Sequence, residues 1–238
     1  MRPVVQAVLA TLLTLPAGEA GAASLGVAPT RLEFGPGDRM VTLTLENNAS
    51  APVTVQMQTF AWRRTPATED LEPTHDLIAV PPIVALEPNA RQVVRVALRR
   101  PMQPDVERAY RLLISEVPGS DRTPGIGVRF ALRLSLPVFV TPAGATPGPV
   151  WSARPGRDGG QVLTLANRGT AHLQVHRIVL RAPGRAEPAQ VIDGAAYVLP
   201  GQEQTWPLGA TARVQPTLQL EAETNLGPLK ASLALSQS

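Results

Sequence analysis

Apolar residues recur along this chain with a period of two. In Met40-Val41-Thr42-Leu43-Thr44-Leu45, the residues Val41, Leu43 and Leu45 alternate with polar neighbours, the signature of a strand with one buried face. The same pattern predicts strands over Leu25–Phe34, Val53–Arg63, Leu77–Leu86, Gln92–Leu98, Arg108–Glu116 and Gly125–Val140. Turn formers separate them: Gly35-Pro36-Gly37-Asp38, Asn47-Asn48, Pro66, Pro88-Asn89, Pro101 and Pro118-Gly119. With 25 prolines and 19 glycines spread through the chain, long helices have little room. This many short strands in about 115 residues predicts an immunoglobulin-like β-sandwich.

A second series follows a proline-stiffened run from Thr141 to Pro149. Its predicted strands are Gln161–Ala166, Ala171–Leu180, Ala196–Leu199, Gln204–Pro207, Thr217–Ala222 and Lys230–Leu235. The expected fold is therefore all-β, two sandwiches joined by a short Pro-rich linker: residues 23–142, a linker at 143–149, and residues 150–238. No internal repeat relates the halves.

Residues 1–22 fall outside this scheme. Met1-Arg2 is a short positive start, Val4 to Leu15 is almost wholly apolar, and Ala20-Gly21-Ala22 is a cleavage-like small-residue site. The apolar run is too short to span a bilayer and has the order of a secretory signal, so the expected product is exported. The chain has no cysteine, which excludes thiol catalysis and disulfide staples. Its +3 formal charge is too weak, and too free of basic runs, to point to nucleic acid.

The segment Gly125–Val140 is long for a strand, most of which run about 3–10 residues. Ile126, Val128, Phe130, Leu132, Leu134, Leu136 and Val138 share one face by period two, and Gly127, Arg129, Ala131, Arg133, Ser135 and Pro137 share the other. Part of that apolar row must face its own core. The excess length predicts a partner.

Several segments in order resemble the periplasmic pilus-assembly chaperones of the PapD-like family. They are Val27-Ala28-Pro29-Thr30-Arg31, Leu43 to Pro52, Val80-Pro81-Pro82-Ile83 through Val96, and, most specifically, Glu107 to Pro118. The second half adds Leu165 to Gly169 and Leu199-Pro200-Gly201. The resemblance implies two immunoglobulin-like domains set at an angle. It also implies a chaperone that lends its seventh strand to a pilus subunit lacking one, then delivers the subunit to an outer-membrane usher. It places the protein in the periplasm, with no cofactor, metal, nucleic acid or small-molecule substrate, and leaves room for self-association of the free protein. The implied donor residues are Val128, Phe130, Leu132 and Leu134. The family binds the subunit's C-terminal carboxylate with a first-strand arginine, matched by Arg31, and a seventh-strand lysine. That lysine's position holds Pro137, and Arg133, four residues earlier on the same face, is the substitute expected here; Arg129 is a weaker one. A family interdomain salt bridge is matched only at Glu107, its partners falling at Thr141 and Asn225. That departure points to the archaic branch and to a different interdomain angle.

Other chemistry finds no constellation. His172 and His176 stand about 13 Å apart on a strand, too far to share an ion. His75 lies in a polar loop. Trp62, Trp151 and Trp206 are dispersed, unlike a sugar-binding surface, and no paired carboxylates or nucleophile–base set is present. The protein is not expected to be an enzyme. The alternative is an exported two-sandwich structural or adhesive pilus component, but a pilin would be one domain and would usually hold a disulfide.

Overall fold

The computed structural model describes residues 25–64, 68–118, 131–155, 160–213 and 215–235. Residues 1–22, together with Val128 and Phe130 of the expected donor strand, lie outside these.

The first sandwich is built from β1 (Leu25–Ala28), β2 (Leu32–Phe34), β3 (Met40–Asn47), β4 (Val53–Arg64), β5 (Glu69–Pro73), β6 (Leu77–Val80), β7 (Ile83–Leu86), β8 (Arg91–Leu98), β9 (Arg108–Glu116) and β10 (Arg133–Val140). One sheet runs β1-β3-β8-β6. The other runs β2-β10-β9-β4-β5, with β7 also paired to β4. Alternating inward residues fill the space between them, among them Phe34, Leu43, Leu45, Val55, Val94, Val96, Leu112, Ile114 and Val138.

Two expected strands are each split between the two sheets. Leu25–Phe34 is β1 in one sheet and β2 in the other, and Leu77–Leu86 is β6 and β7 in the same way. Proline has no N–H to give a ladder. The chain therefore leaves one sheet at Pro29 and at Pro81-Pro82 and joins the other a few residues later. The first crossing leaves Arg31 immediately before β2. Strand β5 was absent from the sequence expectations because Glu69-Asp70-Leu71-Glu72-Pro73 has only one apolar residue and so no readable alternation.

The second sandwich contains β11 (Pro149–Pro155), β12 (Gln161–Asn167), β13 (Leu173–Arg181), β14 (Pro188–Val198), β15 (Glu203–Pro207), the single-turn α1 (Ala210–Arg213), β16 (Thr217–Thr224) and β17 (Gly227–Ala234). Its sheets are β11-β12-β15 and β14-β13-β16-β17. Its core holds Leu163, Leu165, Leu173, Ile178, Leu180, Leu218 and Leu220. Trp151 and Trp206, distant in sequence, stack with centroids 6.0 Å apart against this core. They are not dispersed.

Each sandwich fastens its edge with a buried asparagine. Asn47 Nδ2 donates to the carbonyls of Ala51, Leu86 and Glu87. Asn167 Nδ2 donates to those of Ala171 and Val198, while its Oδ1 accepts from the N–H groups of Gly148 and Gly169. The bond from Gly148 ties the connecting segment to the second sandwich.

Candidate functional site

The site is built on the outward face of the sheet that holds β10. In the antiparallel β10–β9 ladder Pro137 faces Arg111 and Phe139 faces Ala109. In the parallel β10–β2 ladder Val138 faces Leu32 and Phe139 faces Glu33. Since Leu32 and Val138 point into the core, their neighbours point out. Arg31, Pro137 and Arg111 thus form one row across three strands, and Glu33, Phe139 and Ala109 form the next.

Strand β10 has an open edge. Strand β2 pairs with it only over Val138–Val140, so the stretch from Arg133 to Pro137 has no strand on that side among the described residues. Glu116 N–H donates to Leu132 C=O at 2.8 Å, which makes the even-numbered residues the hydrogen-bonded partners of β9. In an antiparallel ladder the alternate residues then turn their backbone groups the other way. Arg133 and Ser135 offer N–H and C=O to the open side; Pro137 has no N–H, and its C=O serves the parallel ladder where Val138 pairs with Leu32. On the core-facing side, Leu132 and Leu134 are half-buried, Leu134 packing at the margin of the core.

Beside this edge lies a cleft between the two sandwiches, lined by Pro29, Thr30, Arg31 and Glu33 from the first and by Gln174 and Tyr197 from the second. Arg31 Nε lies 2.7 Å from Glu33 Oε1, and the two side chains are 38% and 52% exposed. Arg111 is far more enclosed, its side chain 12% exposed. Its guanidinium lies 3.7 Å over the Trp62 ring and 5.8 Å from the Tyr197 ring centroid. Its Nη2 donates to Glu69 Oε1 at 2.9 Å, and its Nε is buried with no hydrogen-bond partner among the described residues. Burial pushes the Arg111 guanidinium below its ordinary pKa, and Glu69 works against that shift.

Arg31 therefore lines the cleft. Arg133 lies four positions up β10 from Pro137, about 13 Å at the usual strand rise, exposed at the strand's start. The fold does not bring Arg133 beside Arg31. It places Arg111 next to the proline that interrupts the basic pattern. Sequence reading missed Arg111 because the relation depends on the register between two strands, which periodicity within either strand does not set.

Tyr197 of the cleft belongs to a mostly aromatic cluster that joins both sandwiches: Trp62 and Phe139 from the first, Leu199, Tyr197 and His172 from the second. The rings of Phe139 and His172 stack with centroids 3.7 Å apart and planes 8° apart. Glu107 closes the junction. Its carboxylate accepts from Thr141 Oγ1 at 2.8 Å and from the backbone N–H of His172 at 2.9 Å, with His172 Nδ1 at 2.8 Å. The expectation that Glu107 had lost its partners is corrected: Thr141 supplies a hydroxyl in place of a charge, and His172 takes the second-domain role. Asn225 caps Gln174 N–H instead. His172 is buried and His176 exposed, and no group of side chains able to hold a metal ion occurs among the described residues.

The N-terminal domain model of the PapD-type pili and flagellar-assembly chaperones matches residues 24–146. No protein of curated function matches in sequence. Among solved structures, the chain superposes on one from the archaic chaperone-usher Csu pili of Acinetobacter baumannii, a chaperone–tip adhesion subunit pre-assembly complex of CsuC and CsuE. The TM-score is 0.67 at 17% identity, covering 90% of this chain and 100% of that one. The Salmonella enterica complex of the SafA pilin with the SafB chaperone gives 0.64 at 18% identity, covering 88% and 96%. The CupB2 chaperone of Pseudomonas aeruginosa gives 0.58 at 23% identity, covering 88% and 100%.

Proposed function

The chain belongs to the family of pili and flagellar-assembly chaperones, and we propose on that footing that it captures a pilus subunit by lending it the free edge of β10. The observation that carries this reading is the outer edge of β10, which β2 leaves open before Val138 while β9 pairs the other edge. A subunit strand laid along that edge would take backbone hydrogen bonds from Arg133 and Ser135, which give affinity with little sequence preference. Val128, Phe130, Leu132 and Leu134 would fill the subunit's groove with apolar side chains.

The subunit strand must stop at Pro137, where no N–H is available and β2 blocks the way. Its terminal carboxylate then falls in the row of Arg31 and Arg111. A planar guanidinium suits a carboxylate because it can donate two parallel hydrogen bonds. Arg31 makes the first contact and Arg111, held over Trp62 beside Pro137, supplies the second positive charge in place of a lysine. Arg133 meets the subunit farther up the strand.

This is binding without turnover. Export by residues 1–22 to the periplasm, a domain division at 142 and 150, and delivery of the subunit to an outer-membrane usher complete the proposal.

The test is co-expression with each pilin-like product of the neighbouring genes and isolation of a one-to-one periplasmic complex. Arg31→Ala is expected to weaken capture at least about tenfold, given the usual strength of hydrogen bonds to charged groups, while the free protein stays folded. Normal capture by that variant would show that Arg31 is not the anchor. Recovery of the chain as a component of assembled pili would favour a structural role.

A further inference from the structure

We propose that Glu33 is a resident counter-carboxylate of this cleft, one that occupies Arg31 in the free protein and lowers its affinity for an incoming chain terminus. The inference rests on the anchor reading above and concerns how tightly that anchor holds.

Arg31 and Glu33 stand two residues apart on the outward face, their charged atoms 2.7 Å apart, and both line the same cleft. The second cation is arranged alike, with Glu69 at 2.9 Å from Arg111. The two guanidinium groups thus already face two carboxylates, and the empty site is close to neutral. A third carboxylate arriving at Arg31 must approach Glu33 at short range, where like charges repel even in a water-rich surface environment.

The two pairs differ in how readily they yield. Glu33 and Arg31 are largely solvated, and exposed ion pairs hold weakly. Arg111 is enclosed against Trp62, so its pair opens less easily. Glu33 also takes a particular atom. A guanidinium grips a carboxylate bidentately either side-on, through Nε and one Nη, or end-on, through both Nη atoms. Glu33 Oε1 sits against Nε at ion-pair distance, so an incoming carboxylate that takes the side-on grip must share that edge of the guanidinium with it. A carrier that must later release its cargo gains from such a brake, since the bound carboxylate never has Arg31 to itself.

The experiment uses a soluble strand peptide, acetyl-Lys-Lys-Thr-Val-Thr-Val-Thr-Val, with a free terminal carboxylate or an amide. Binding is followed by the Arg side-chain Nε–H resonances of the whole protein. Glu33→Gln is expected to bind the free acid about fivefold more tightly, the size an exposed ion pair allows, with the amide unchanged. It should also slow dissociation and leave thermal unfolding where it was. A free-acid affinity that falls or stays the same overturns the role of Glu33, as does an equal gain for acid and amide. Arg31→Ala separates the two levels. If the wild-type protein does not distinguish acid from amide and Arg31→Ala changes nothing, the anchor itself fails. If it does distinguish them and only Glu33→Gln is silent, the anchor stands and the brake fails.

Discussion

Glu107 and His172, 65 residues apart in sequence, meet across the two sandwiches, where a single carboxylate oxygen lies 2.9 Å from the His172 backbone nitrogen and 2.8 Å from its Nδ1. The Glu107 side chain is 1% exposed, and a carboxylate so enclosed is stable only while all its donors are in place. The stacked Phe139 ring holds the imidazole from its flat side. This cluster joins the two sandwiches whose facing residues line the cleft that holds Arg31.

Replacing Glu107 with Leu is therefore expected to uncouple the two sandwiches. Hydrogen bonds to charged groups contribute about 1.5–3 kcal/mol each, so the loss is at least about 3 kcal/mol. Differential scanning calorimetry should resolve two transitions where the wild-type protein has one, and small-angle scattering should show a broader distribution of sizes. A double-mutant cycle of Glu107→Gln with His172→Gln should give a coupling of 1 kcal/mol or more, in the range expected of residues in one network.

Gly169 is expected to tolerate no side chain. A Cβ there would lie 2.2 Å from the Thr146 carbonyl oxygen and 2.3 Å from the Gly148 nitrogen, both backbone atoms that cannot rotate aside. Gly169→Ala should lower the urea midpoint of the second sandwich by the equivalent of about 2 kcal/mol or more. Gly184→Ala, at a φ of +72° with nothing near its Cβ, should cost only about 1 kcal/mol of backbone strain.

Tyr110 donates to Asp76 Oδ2 at 2.9 Å, and burial first, then Asp76, pushes its phenol up to about 12. The folded value lies above the unfolded value of 10.0, so folding favours the protonated form. The contribution is complete below pH 10 and is lost as pH rises from there through about 12. Denaturation midpoints of the wild-type protein should fall more steeply than those of Tyr110→Phe between pH 10 and 12. The two curves should run parallel below pH 9.

Ser135→Pro removes one of the two N–H groups on the open edge of β10 without touching the β9 ladder. Capture of a subunit should weaken about tenfold with little change in melting temperature. On the core-facing side, Leu132→Asn should impair capture more than Ser135→Asn, because Leu132 stands in the apolar row and Ser135 does not. Equal effects would place the subunit on the other face of the strand.

The alternation of apolar residues was enough to locate most of the strands and the two-sandwich class, because each strand in a sandwich buries one face and each side chain reports its own face. Of the expected strand Gly125–Val140, the structure shows strand over Arg133–Val140, with 119–130 outside the described residues; Arg31 was singled out by resemblance to the family's first strand, not by alternation. The limits of single strands were less so: β14 (Pro188–Val198) is far longer than the expected Ala196–Leu199, since its outer half is mostly exposed and carries no apolar row. The splitting of Leu25–Phe34 and Leu77–Leu86 at prolines was also not apparent. A missing N–H forbids pairing at one residue, but which sheet the chain joins next depends on where the other strands lie.

Relations between strands were beyond the sequence altogether. Arg111 beside Pro137, Glu107 under His172 and Phe139 against His172 each follow from a register or a domain contact. A register one residue away would turn Arg111 into the core, and no local pattern in β9 records which register holds. The sequence alone determined that this protein has two β-sandwiches, and its resemblance to the chaperone family singled out Arg31. Only the tertiary structure decided that Arg111 faces Pro137, that Glu69 lies against Arg111 and that Glu107 meets His172, because those contacts form between residues that become neighbours only when the sheets assemble.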